Sequence, residues 1–330
     1  TVASCPMTVV AHDTTRRTRT GLSLALLSAV SFGLSGALAR PLLESGWTPG
    51  AVVLARIWIG AVVVAPIGLL ALRGRWATLR AQARLVLLYG TLAVAGAQFA
   101  YFSAVQHIQV GPALLLEYTA PAAIVLWLWI VRGERPGPIT LVGAATCAVG
   151  LVLVLDLLTG TSLNPVGVAW ALTAMAGAAT YFLINAETDT GLPPLTLAGV
   201  GLLVGALVLT VAAVLGVLPV RLSSETVAYA GVGVSPVTAL VTLGVLTAAV
   251  AYVSGVAAGR RLGSRLASFV ALSEVVAAIL WAWLLLDELP GPAQLLGGVV
   301  ILVGVVLVEL GEPKVVEAVP AAQALPGHDD

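Results

Sequence analysis

An all-α integral membrane protein of ten transmembrane helices, arranged as two inverted five-helix repeats, is the fold class this sequence predicts. Three observations carry the prediction. Charged residues make up only 10% of the 330, and hydrophobic ones 59%. A soluble domain carries roughly 25% charged residues, so this deficit, with a mean hydropathy of +1.03, turns most of the surface towards lipid. Ten apolar stretches are long enough to cross a bilayer, and the chain matches itself at a shift of 154 residues.

A spanning helix needs ~20 mainly apolar residues, because each adds ~1.5 Å across a ~30 Å hydrocarbon core. The N-terminal tail, 1–20, is polar and carries Arg16, Arg17 and Arg19. It runs into an apolar stretch with no small-residue cleavage site, which reads as a retained helix rather than a signal peptide. The ten stretches are 21–41, 50–72, 84–106, 110–132, 138–156, 165–186, 194–217, 236–259, 264–286 and 292–310. Short connections rich in Gly, Pro and charge, such as Gly133-Glu134-Arg135-Pro136 and Asp287-Glu288-Leu289-Pro290, separate most of them. The longer link, 218–235, is expected on the membrane surface, and the tail 311–330 reads as disordered.

Orientation follows from the basic residues. With a cytoplasmic N-terminus and ten alternating spans, the inner segments hold Arg16, Arg17, Arg19, Arg73, Arg75, Arg80, Arg84, Arg132, Arg135, Arg260, Arg261, Arg265 and Lys314. That is thirteen of the sixteen Lys and Arg residues. The expected setting is therefore the cell membrane, multi-pass, with both termini cytoplasmic.

The repeat is clearest late in each half. Residues 123–154 set against 277–308 give fifteen identities in thirty-two positions, among them Trp127/Trp281, Trp129/Trp283, Glu134/Glu288, Pro136/Pro290, Gly143/Gly297 and Gly150/Gly304. The predicted repeats are 21–156 and 165–310. Five spans is an odd number, so the second copy enters the membrane the other way up. Inverted repeats of this kind are an architecture of secondary transporters, with the binding site near the midplane between the halves.

The runs Glu117-Tyr118-Thr119-Ala120-Pro121 and Glu134-Arg135-Pro136 in the first half, with Ser273-Glu274 and Leu285-Leu286-Asp287-Glu288-Leu289-Pro290 in the second, resemble the EamA family of the drug/metabolite transporter superfamily. The resemblance spans about residues 20–310, and the Glu117 run is similar to the threonine/homoserine exporter branch. It implies a ten-span carrier that exports a small metabolite, an amino acid or related solute. It also implies a central cavity built from the first four helices of each repeat, which makes 138–156 and 292–310 peripheral.

Charges inside spans cost ~2.5–3.5 kcal/mol at the centre on insertion scales, so they mark candidate function. Glu117 and Glu274 lie within the fourth and ninth stretches. At the 154 shift Glu274 matches Ala120, nearly one helical turn from Glu117, so the two acids share similar faces of equivalent helices. They are expected to line the cavity, where they could bind a substrate amine or carry a coupling proton; the bland alternative is a structural hydrogen bond. Arg56, inside the second span, needs a carboxylate from the protein or from a substrate. Arg40 is expected to snorkel to the interface. Gln98, Tyr101, Tyr181 and Tyr252 are candidate cavity-lining residues, whereas Phe99, Phe102 and Asn185 read as packing. Trp127, Trp129, Trp281 and Trp283 read as belt residues. Gly111-Pro112 and Pro121 are expected to break the fourth helix, and Gly33, Gly36, Gly96, Gly143 and Gly255 to permit close helix approach.

Zero net charge argues against a nucleic-acid partner. Cys5 and Cys147 lie in a polar tail and an apolar run, which makes a disulfide improbable. The three histidines, His12, His107 and His328, form no metal or catalytic cluster. The expectation is a non-enzyme without cofactor or metal, with the lipid bilayer and a small-molecule substrate as partners, as a monomer or homodimer. Efflux of drugs or lipophilic cations is the alternative carrier reading, and a membrane-embedded enzyme the alternative outside transport.

Overall fold

The computed structural model describes residues 8–133, 135–155, 163–186, 190–262 and 270–311. Each of the ten expected stretches holds a helix there: α1 (Thr8–Glu44), α2 (Pro49–Leu72), α3 (Ala83–Val105), α4 (Val110–Arg132), α5 (Pro138–Val154), α6 (Pro165–Ala186), α7 (Pro194–Val214), α8 (Pro236–Leu262), α9 (Ser273–Leu286) and α10 (Pro292–Gly311). Seven of them, α1 over Thr18–Glu44, α2, α3, α4, α7, α8 and α10, are long and apolar enough to cross a membrane. Of the others, α5 has 17 residues, α9 has 14 and α6 has 22. Glu134, Arg265, Lys314 and the tail from 312 lie outside the described residues, as does the Asn185 side chain.

Six of the helices open on proline, at Pro49, Pro138, Pro165, Pro194, Pro236 and Pro292. A first-turn residue has no intrahelical acceptor for its N–H, so proline loses nothing there and its fixed φ suits the helix. Thr48 and Ser235 cap α2 and α8 by accepting from the backbone N–H groups of Ala51 and Thr238. Helix α1 starts at Thr8, well before the expected 21. Neither glycine nor proline interrupts residues 8–20, so the helix extends through the arginine-bearing segment.

Helix α4 breaks in the middle. Pro121 has no N–H to give the Glu117 carbonyl, and the chain turns at Tyr118–Thr119, where the Thr119 hydroxyl donates to Leu116 O at 2.7 Å. Pro112 makes no break, because it sits in the first turn of α4. Three further irregularities were not expected: π-helical turns at Tyr89–Gly96 of α3, Leu128–Arg132 at the end of α4 and Val245–Val250 of α8. At the 154 shift the first and third are the same place in the two halves.

The link after α7 carries a two-stranded antiparallel hairpin, β1 (Val227–Tyr229) and β2 (Val232–Val234). Its turn, Ala230-Gly231, has positive φ at both residues, as the twist of a two-residue hairpin loop demands. The hairpin packs across the bundle end: Tyr229 Oη donates to Leu38 O at 2.7 Å and Ala230 N to Leu285 O at 2.9 Å.

The helices of the two halves interleave. Helix α1 packs on α8 and α9, while α6 packs on α3 and α4; α2 meets α7, and α5 meets α10. The α5–α10 contact is a backbone approach. A Cβ on Gly143 would lie 2.8 Å from Gly304 O, and one on Gly297 would lie 2.7 Å from Gly150 O. Cys147 Sγ sits 3.7 Å from Ile301 O, and 301 is the position equivalent to 147. Gly33, Gly36 and Gly255 also sit at close approaches between helices, but Gly96 faces only its own helix, inside the π-helical turn.

Candidate functional site

A cavity of about 300 Å³ lies between the halves. Its walls come from α1 (Ala25, Ser28, Phe32), α3 (Gln98), α4 (Glu117, Tyr118), α6 (Tyr181), α8 (Tyr252, Gly255, Val256) and α9 (Glu274), with Ala271 just before α9. These are the first, third and fourth helices of each repeat. No residue of α5 or α10 lines it, in keeping with their expected place at the periphery. The second helices, α2 and α7, also stand outside the lining, where the resemblance implied that they would take part.

Both acids reach the cavity. Glu274 accepts a hydrogen bond from Tyr118 Oη at 2.8 Å. Tyr118 is the residue at which α4 breaks, so the proline-induced turn brings its hydroxyl to the second half of the chain. Glu117 has no hydrogen-bond or ion-pair partner among the described residues. Phe32 and Tyr252 pack edge to face, ring centroids 5.1 Å apart, and Tyr181 tilts against Tyr89 at 5.7 Å. The lining is thus two carboxylates and one amide set in an aromatic and small-residue wall. Among the described residues, none of those lining it is a lysine or arginine.

Arg56 does not line the cavity. It is 1% exposed in α2. Its Nε donates to Thr247 Oγ1 at 2.8 Å, its Nη2 to Thr247 O at 2.7 Å, and its Nη1 to Gln98 Oε1. The expected carboxylate partner is replaced by neutral acceptors on α8 and α3, with the Phe102 ring 5.5 Å from the guanidinium. Of the other candidates, Gln98, Tyr181 and Tyr252 line the cavity. Tyr101 does not: one turn further along α3, it is buried where its Oη meets Gly36 of α1. Sequence reasoning missed Ser28 and Phe32, because small and aromatic residues are common throughout the apolar runs. Tyr118 carried a usable signal, adjacency to Glu117 at a proline break.

The lining residues of α1 and α8 lie towards the bundle end where α1 begins and α8 finishes. The opposite end is tied together by ion pairs and hydrogen bonds. There Arg40 Nε lies 2.7 Å from Glu288 and 2.9 Å from Glu44, and Arg40 Nη1 donates to Ile108 O at 2.9 Å. Arg40 therefore joins α1 to the α3–α4 and α9–α10 connections and does not snorkel away from the protein. Trp127, Trp129 and Trp283 are exposed as belt residues would be, but Trp281 donates its Nε1 to Val30 O at 3.1 Å.

Residues 19–156 and 165–310 each match the EamA-like transporter family. The chain belongs to that family. The two matches coincide with the two repeats and span most of the sequence, so this EamA-like protein is a multi-pass membrane protein. No curated protein matches it. Among solved structures, 22 chains match. One crystal structure, 24% identical, superposes with a TM-score of 0.55 over 87% of this chain and 96% of its own, and shows the same fold.

Proposed function

We propose that this EamA-like protein is a secondary transporter of ten membrane-crossing helices in two inverted repeats. It exports a small metabolite bearing a protonated amine, an amino acid or related solute, from the cell by alternating access. The observation that carries this reading is the cavity itself: two carboxylates, no cation among the described residues of its lining, walls shared by both repeats, and the far end tied together through Arg40. A charged carboxylate left in low dielectric is costly unless a counter-charge meets it, and an amine supplies one. Glu117, the acid without a partner, is the first ligand, and Glu274, oriented by Tyr118, is the second. The reciprocal approaches Gly143–Gly304 and Gly150–Gly297 support the inverted relation, because a two-fold axis exchanges one for the other. With both termini in the cytoplasm of a cell-membrane protein, the packed end faces outwards and the cavity belongs to an inward-facing state.

The test is efflux of a mixed amino-acid and amine panel from proteoliposomes, with and without a pH gradient. Saturable efflux of amine-bearing solutes, lost in Glu117→Gln and Glu274→Gln protein that still folds, is the expected result. Dependence on the gradient would make one acid a proton site, and indifference would leave both as ligands. Efflux unchanged in both variants would overturn the assignment of the acids. A second reading, efflux of lipophilic cations, is favoured by the aromatic walls of Phe32, Tyr181 and Tyr252, since ring faces attract desolvated cations. Tetraphenylphosphonium moving in place of amino acids would select it.

A further inference from the structure

The acids account for an amine, but not for the buried charge behind them. Arg56 spends its donors on Thr247 and Gln98, and no described carboxylate lies within ion-pair distance of it. Two features hold it in that pose. Thr247 lies in the π-helical turn of α8, and its carbonyl accepts from Nη2. The Thr247 hydroxyl donates to Leu243 O at 2.7 Å, which turns its lone pairs to Arg56 Nε.

A guanidinium has donors only. Gln98 must therefore present its oxygen to Arg56, and its Nε2 is left as the cavity-side donor. We propose that Arg56 is a positioning residue that fixes Gln98 as a hydrogen-bond donor to substrate, so that the site selects amines carrying a carbonyl or carboxylate oxygen. The inference rests on the reading that an amine seats at Glu117 and Glu274. The device is one-sided: at the 154 shift Gln98 corresponds to Tyr252, Thr247 to Ala93 and Arg56 to Thr210, so the second half has no equivalent amide fixed by an arginine. A substrate held by acids and by one fixed amide can bind in a single orientation.

Two probes isolate the oxygen: L-leucinamide, and 3-methylbutylamine, which is leucinamide without its carboxamide. Binding of each to the purified full chain is measured by equilibrium dialysis. The wild-type protein should bind leucinamide about tenfold more tightly, the worth of one well-placed hydrogen bond. Gln98→Leu should bring the ratio to about one while 3-methylbutylamine still binds. Arg56→Met should do the same. Arg56→Lys, which keeps a donor for Gln98 Oε1, should restore part of the ratio and covers the case in which Arg56→Met fails to fold. A merely structural Arg56 would weaken both ligands together and leave the ratio intact. Equal wild-type affinities, or a ratio that survives Gln98→Leu, would overturn this inference while amine binding sensitive to Glu117→Gln stands. Absence of 3-methylbutylamine binding, or binding indifferent to both Glu→Gln changes, would overturn the amine reading and this inference with it.

Discussion

At the scale of single residues, the site shows how one backbone defect assembles chemistry. Pro121 deprives the Glu117 carbonyl of its partner, the helix turns at Tyr118, and the Tyr118 hydroxyl crosses to Glu274. Tyr118→Phe removes that donor and leaves the ring. The expected result is a protein that folds normally but whose amine affinity falls about fivefold, the cost of roughly 1 kcal/mol for one lost hydrogen bond. Glu274→Gln should cost more, because it removes the counter-charge itself. A Tyr118→Phe protein with unchanged binding in dialysis would show that the hydroxyl is a bystander. The acids were legible in the sequence because a carboxylate in an apolar run is conspicuous. The role of Arg56 was not. Whether a buried guanidinium finds a carboxylate or a threonine 191 positions away is decided by tertiary pairing, and no local pattern records it.

At the scale of elements, length and hydropathy placed the helices, and proline placed most of their starts. What escaped were features that depend on neighbours: the π-helical turns, the hairpin over the bundle end, and the Arg40–Glu288 pair. The α5–α10 contact lies between these cases, since the glycines at 143, 150, 297 and 304 stood out in the repeat but their partners did not. Their packing gives a sharp expectation. A Cβ at Gly143 would lie 2.6 Å from Val308 N and 2.8 Å from Gly304 O, both backbone atoms that cannot swing aside. Gly143→Leu must then separate two helices that lose their dispersion contacts. Purified yield and melting temperature should fall sharply. Gly259→Ala, at a helical glycine with nothing within 4 Å, should be neutral or stabilising by up to ~1 kcal/mol. Equal melting temperatures for Gly143→Leu and the parent protein would mean that the α5–α10 approach contributes nothing to the fold.

At the scale of the whole molecule, the proposed two-fold relation between the halves would divide its contacts into two kinds. Cys147 against Ile301 is a contact between equivalent positions, and so would lie on the proposed axis. Arg40 against Glu288 is not, and neither is Tyr229 against Leu38. If the halves exchange conformations to open the other end, axial contacts persist and off-axis contacts at the packed end must part. Two cross-links test this. In a chain with Ile301→Cys, oxidation should join position 301 to the native Cys147 and leave efflux within about twofold of the reduced protein, because the pair does not move apart. In a chain with Cys147→Ala, Arg40→Cys and Glu288→Cys, a short bismaleimide should stop efflux, while the same triple variant left unlinked still transports. The rate of the unlinked variant is informative in its own right. Arg40 holds α1 to two connections at that end, so on the proposed alternating-access reading its loss should free that end to open and shift the population towards the state open there. A molecule that transports with the packed end cross-linked, yet stalls with 147 joined to 301, would have its moving parts where the proposed axis puts its pivot.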